Sequence, residues 1–83
     1  MRKEFDLNHQ YKLYLERVGL SESAMHPQQR IETKQAFFGA CGQMLILLRD
    51  DLGALEYSKA IDTLQDMLNQ VSNFWLSQQQ KQN

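Results

Sequence analysis

The sequence has one cysteine and one proline in 83 residues, and its charge is nearly balanced, nine basic side chains against ten acidic. Each scarcity excludes something. With Cys41 alone, no disulfide forms within the chain. His9 and His26 are the only other soft metal ligands, and no Cys-x-x-Cys or His-x-x-x-His spacing accompanies them, so a metal cage is not expected. A net charge of −1 argues against a dedicated duplex-DNA binder, which carries a basic face. No apolar run is long enough to span a bilayer. The opening Met1-Arg2-Lys3-Glu4-Phe5-Asp6 lacks the apolar centre of a signal peptide. Together with the lone cysteine this leads us to expect a cytoplasmic protein. Catalytic signatures are absent too: no Ser, His and Asp set stands out, and no glycine-rich phosphate loop follows a strand. We therefore expect a non-enzymatic protein without a cofactor.

What is present is helical periodicity. Residues 1–83 read as a single small all-α domain. Asp6 or Asn8 can cap a first helix of about 7–18, in which Leu7, Tyr11, Tyr14, Leu15 and Val18 share a face. Gly19 is placed to end it in the left-handed conformation, with Leu20 as the hydrophobic contact behind. Pro27 suits a first helical position and opens a second helix, about 27–51, that stops at Gly53. A third helix, about 56–77, carries Tyr57, Ile61, Leu64, Leu68, Val71 and Trp75, alternately four and three apart. Residues 78–83 read as a polar, frayed tail. The short link at Gly53 predicts an antiparallel hairpin of the two long helices, with the first helix packed on it.

The second helix carries more apolar surface than a hairpin can cover. Phe37, Cys41, Met44, Leu45 and Leu48 share a face, flanked by Phe38 and Ile31 on one side and Ala40 and Leu47 on the other. The arc spans about 200° at about 100° per residue, twice the stripe of a simple surface helix. On the opposite side Gln35, Gly39, Gly42, Ile46 and Arg49 form a second stripe. Glycine inside a helix costs about 1 kcal/mol relative to alanine, which suggests that something must approach closely there. Both faces thus predict a partner, and a homo-oligomer is the expected form. A complex with a host protein would satisfy the pattern equally.

Arg30 and Lys34 interrupt the apolar arc in the first turns of the second helix, where N–H groups and the helix dipole favour an anion. Arg30 can grip a phosphate with its fork and Lys34 can add a point charge. Thr33 offers a hydroxyl, and Tyr11, Tyr14, Phe37 and Phe38 offer rings. These residues sketch a pocket for a phosphorylated, aromatic small molecule such as a nucleotide. A plainer reading stays open: basic stems laid on apolar surface with their heads in water, or paired with Glu4, Asp6 or Glu16.

The stretch Pro27-Gln28-Gln29-Arg30-Ile31-Glu32-Thr33-Lys34-Gln35-Ala36-Phe37-Phe38-Gly39-Ala40 resembles a recurrent segment in small helical accessory proteins of tailed bacteriophages and prophages. The shared pattern is Pro-x-Gln-Arg-x-Glu-x-Lys/Arg-x-Ala-Phe-aromatic-x-Gly-Ala, and here the small-residue run continues to Gly42. The resemblance implies a phage accessory protein acting in the host cytoplasm. Some such proteins are anti-defence sponges, oligomers that hold nucleotide-derived immune signals without turnover. In that case Arg30 and Lys34 would grip phosphate, Thr33 would hydrogen-bond and the aromatic residues would stack. The alternatives are a protein-binding inhibitor that masks its target with the apolar helix face, and a virion-associated structural part.

Overall fold

The computed structural model describes residues 2–81, and within them the chain is all-α with no strand. Three helices follow in order: α1 (Leu7–Val18), α2 (Pro27–Asp50) and α3 (Tyr57–Lys81). Three-residue 3-10 turns at Lys3–Phe5, Glu22–Ala24 and Leu52–Ala54 precede them. The chain forms two compact units, Met1–Met44 and Leu45–Asn83, with α2 running from the first into the second.

Local chemistry sets the ends of α1. The Asp6 carboxylate accepts the Asn8 backbone N–H at 2.8 Å, so Asp6 is the cap and Asn8 is the residue it caps. At the other end Gly19 adopts φ 73°, ψ 28°. Its N–H donates to the Glu16 carbonyl at 3.2 Å, and the Leu20 N–H reaches back to the Leu15 carbonyl at 2.9 Å. This paired bonding is the Schellman arrangement, which satisfies carbonyls that a helix end otherwise leaves orphaned. Ahead of the helix, the Gln10 side-chain amide donates to the Glu4 carbonyl at 2.8 Å and ties the first 3-10 turn onto α1.

The core of the first unit is small. Tyr11, Leu15 and Met25 are buried, and Phe37 and Phe38 of α2 pack against them half-buried. The i, i+4 pair Tyr11/Leu15 is the seam by which α1 docks on the start of α2, as its periodicity predicts. Tyr14 lies at the rim, 38% exposed, with its ring 5.3 Å from that of Phe37.

Several expectations need correction. α2 ends at Asp50, and Gly53 sits in the 3-10 turn that follows with no positive φ. What calls for glycine there is space: an added Cβ would lie 3.2 Å from the Leu48 carbonyl oxygen. Residues 78–81 of the expected frayed tail continue α3, while 82 and 83 lie outside the described residues. The apolar stripe of α3 was expected to be buried, yet within its unit it lies open: Ile61, Leu64, Leu68, Val71 and Trp75 are 37–55% exposed. Within the first unit an added Cβ at Gly39 or Gly42 meets nothing within 4 Å, so the close approach expected at this stripe is left to a partner.

The glycines therefore separate in a testable way. Gly19→Ala should lower stability by about 1–2 kcal/mol, the cost of a Cβ in the left-handed region. Gly39→Ala and Gly42→Ala should each raise it by about 0.4–1 kcal/mol. Urea unfolding followed by circular dichroism reads all three. A loss of stability at Gly39 or Gly42 would mean that another backbone closes on the stripe.

Candidate functional site

Pro27 begins α2 without an N–H to leave unsatisfied, and the His26 carbonyl accepts the first helical bond, from Arg30 N–H at 2.9 Å. From there Ile31, Lys34, Gln35 and Phe38 recur at i, i+3, i+4 and i+7 and share one face. With Asn8 from the first turn of α1 they line an open groove of about 490 Å³. Its wall is mainly apolar, with one cation and two amides.

Lys34 is the charged member. Its Nζ lies 5.9 Å from the ring centroids of both Tyr11 and Phe38, within cation–π range. The ion pairs among the described residues are Arg2–Glu4 and Arg49–Asp50, so none of the described carboxylates lies within 4.0 Å of Lys34. The expected pairing of Arg30 or Lys34 with Glu4, Asp6 or Glu16 does not form. Glu32, the nearest carboxylate in sequence, accepts from the Gln28 amide at 3.0 Å.

The other residues picked out in the sequence fall in different places. Arg30 lies outside the groove lining, with its Nη2 3.4 Å from the Met25 carbonyl, a long and weak bond. Thr33 is half-buried one turn before Phe37 and does not line the groove. Phe37 belongs to the core, its ring 5.2 Å from Tyr11 and 5.3 Å from Tyr14. Phe38 both packs on the core and lines the groove, with its ring 5.8 Å from Phe37, edge to face. Of the seven, Lys34 and Phe38 are brought together in the groove, whereas Tyr11, Tyr14 and Phe37 form the aromatic wall behind them. Asn8, Ile31 and Gln35 complete the lining and were not picked out as ligand residues. The i, i+3, i+4, i+7 spacing marks the four positions on α2. Asn8 carried no such signal, because the sequence does not say which turn of α1 faces α2.

Tyr11 is 2% exposed, and its hydroxyl has no hydrogen-bond partner among the described residues. Burial raises its pKa above the usual tyrosine value, and the nearby Glu22 carboxylate and Tyr14 add to the shift. Removal from water penalises the phenolate, and a neighbouring negative charge does the same. The described residues contain no group of His, Cys, Asp and Glu able to hold a metal ion, and no helix is long and apolar enough to cross a membrane. No family model, curated protein or solved structure matches the chain.

An unpartnered buried hydroxyl costs about 1–3 kcal/mol, so Tyr11→Phe should stabilise the first unit by part of that amount. The pH profile carries the same signature. Because the folded pKa lies above the unfolded value near 10, the contribution from Tyr11 is complete below pH 10 and is lost as pH rises through the folded pKa. Melting curves between pH 7 and pH 11 should show a steeper alkaline loss for the wild type than for Tyr11→Phe. Equal slopes would place the hydroxyl in contact with solvent.

Proposed function

We propose that the chain is a non-catalytic, phage-encoded accessory protein that acts in the host cytoplasm. Its role is to hold a phosphorylated, aromatic small molecule of nucleotide type and so withdraw it from host defence signalling. The observation that carries this reading is Lys34, a cation without a carboxylate partner among the described residues, set over two aromatic rings in an open groove. Its ammonium takes the phosphate as a point charge. Phe38 presents a ring for stacking, and the side-chain amides of Asn8 and Gln35 supply donors and acceptors for the edge of a base. Arg30, one turn earlier, adds a second cation once it releases the Met25 carbonyl. Thr33 and Tyr14, outside the groove lining, assist only an extended ligand.

A second reading has its own support. Leu45, on the apolar arc of α2, is 49% exposed, and in this reading that arc masks a host or phage protein.

Melting with a panel of cyclic and ADP-ribose-type nucleotides separates the two. A ligand at about 100 times its Kd stabilises the folded protein by about 2.7 kcal/mol. The expected outcome is a rise in Tm with at least one nucleotide, lost in Lys34→Gln and reduced in Arg30→Ala. No shift with any member of the panel would overturn the small-molecule reading and leave the masking surface.

A further inference from the structure

The second unit exposes an apolar stripe along α3. Tyr57 is 82% exposed, Ile61 49%, Leu64 37%, Leu68 53%, Val71 55% and Trp75 51%. The spacing of four, three, four, three and four is that of a heptad seam, with Ile61, Leu68 and Trp75 at a and Tyr57, Leu64 and Val71 at d. In side-chain type the stripe reads the same in both directions: aromatic, β-branched, Leu, then Leu, β-branched, aromatic. Its midpoint falls at Asp66, which lies on the outer side of the helix.

This order is what a two-fold interface needs, since a surface that pairs with itself must match residue i to j and j to i. Two antiparallel copies of α3 centred on Asp66 would form Leu64–Leu68, Ile61–Val71 and Tyr57–Trp75 layers, each twice. The flanking positions agree. The g edge is apolar (Ala60, Met67 and Phe74) and the e edge polar (Ser58, Gln65 and Ser72). Antiparallel packing sets g against g, so that Ala60 meets Phe74 and Met67 meets Met67, while serine meets serine and glutamine meets glutamine along e. Parallel packing would instead set the apolar edge against the polar one. Tyr57, the most exposed large apolar residue of the unit, would cover the Phe74–Trp75 pair, whose rings stand edge to face at 5.3 Å.

Charge points the same way. Between Tyr57 and Trp75 the charged residues are Lys59, Asp62 and Asp66, all at b or f, away from the seam. A foreign helix is selected through charges at e and g, and here there are none. The surface is also large enough. Six to eight large apolar side chains, most about half exposed, offer on the order of 700 Å² per chain, close to the roughly 800 Å² per partner of a stable interface.

We infer that α3 is an assembly helix whose Tyr57–Trp75 seam packs antiparallel on the same seam of a second copy. This stands apart from the ligand reading and survives its failure. The test begins from Cys41→Ala, into which Leu64→Cys and Leu68→Cys are placed separately. Under mild oxidation each protein alone should remain uncrosslinked, and an equimolar mixture should give a covalent dimer. A covalent dimer from either variant alone would mean parallel pairing and would overturn the seam, as would the absence of any dimer on mixing. That last result would mean that another segment of the chain, or a different protein, covers α3. In parallel, light scattering of the unmodified protein should give at least twice the mass of one chain. Leu68→Asp should halve that mass while Asp66→Lys leaves it unchanged, with helicity checked by circular dichroism. A monomeric wild type would equally overturn the inference.

Discussion

The contact between Tyr11 and Phe37 holds the first unit together. The rings lie 5.2 Å apart and tilted by 50°, and Leu15, Met25 and Phe38 gather round them. A pair of this kind contributes about 0.5–1.5 kcal/mol beyond the apolar area it buries. More important, it sets the angle at which α1 meets α2. The groove exists only because Asn8, one turn before Tyr11, is thereby carried to the Ile31, Lys34, Gln35 and Phe38 face. The cation–π placement of Lys34 has the same origin, since one of its two rings is Tyr11 itself.

Beyond that contact neither unit covers much of its own apolar surface. Among the described residues three are buried and form the core of the first unit, and within the second unit the apolar stripe of α3 faces outward. Small helical scaffolds compensate with disulfides, metals or association, and this sequence has neither the cysteines nor the ligand spacing for the first two. In the proposed reading the α3 seam gathers copies through apolar layers, and the groove offers a cation, two amides and a ring to a small ligand.

Much of this was readable in the residues. Asp6 and Gly19 mark the two ends of α1, and Pro27 opens α2, because capping is local chemistry that acts within a few residues. The Tyr11/Leu15 face was readable for the same reason, as a helix fixes which side chains share a side. Gly53 was misjudged: it reads as a helix stop but serves the 3-10 turn, where the constraint is the Leu48 carbonyl three-dimensionally nearby. Glycine carries the same letter whether it is needed for its φ or for its missing Cβ.

The candidate site divides along the same line. That Arg30 and Lys34 stand on the apolar arc follows from a helical wheel. Which of them enters a groove does not, because both are long side chains whose heads settle according to the neighbours they meet. Packing turned Arg30 toward the Met25 carbonyl, left Lys34 over two rings, and drew Tyr11 and Phe37 into the core as its wall. The sequence alone determined the three helices, the two caps of α1 and the heptad order of α3, since all of these depend on neighbours a few residues apart. Only the tertiary structure decided that Asn8 meets the Lys34 face and that the α3 stripe stays open in its unit. Those outcomes depend on how separate helices pack, and a one-dimensional pattern carries no distance between them.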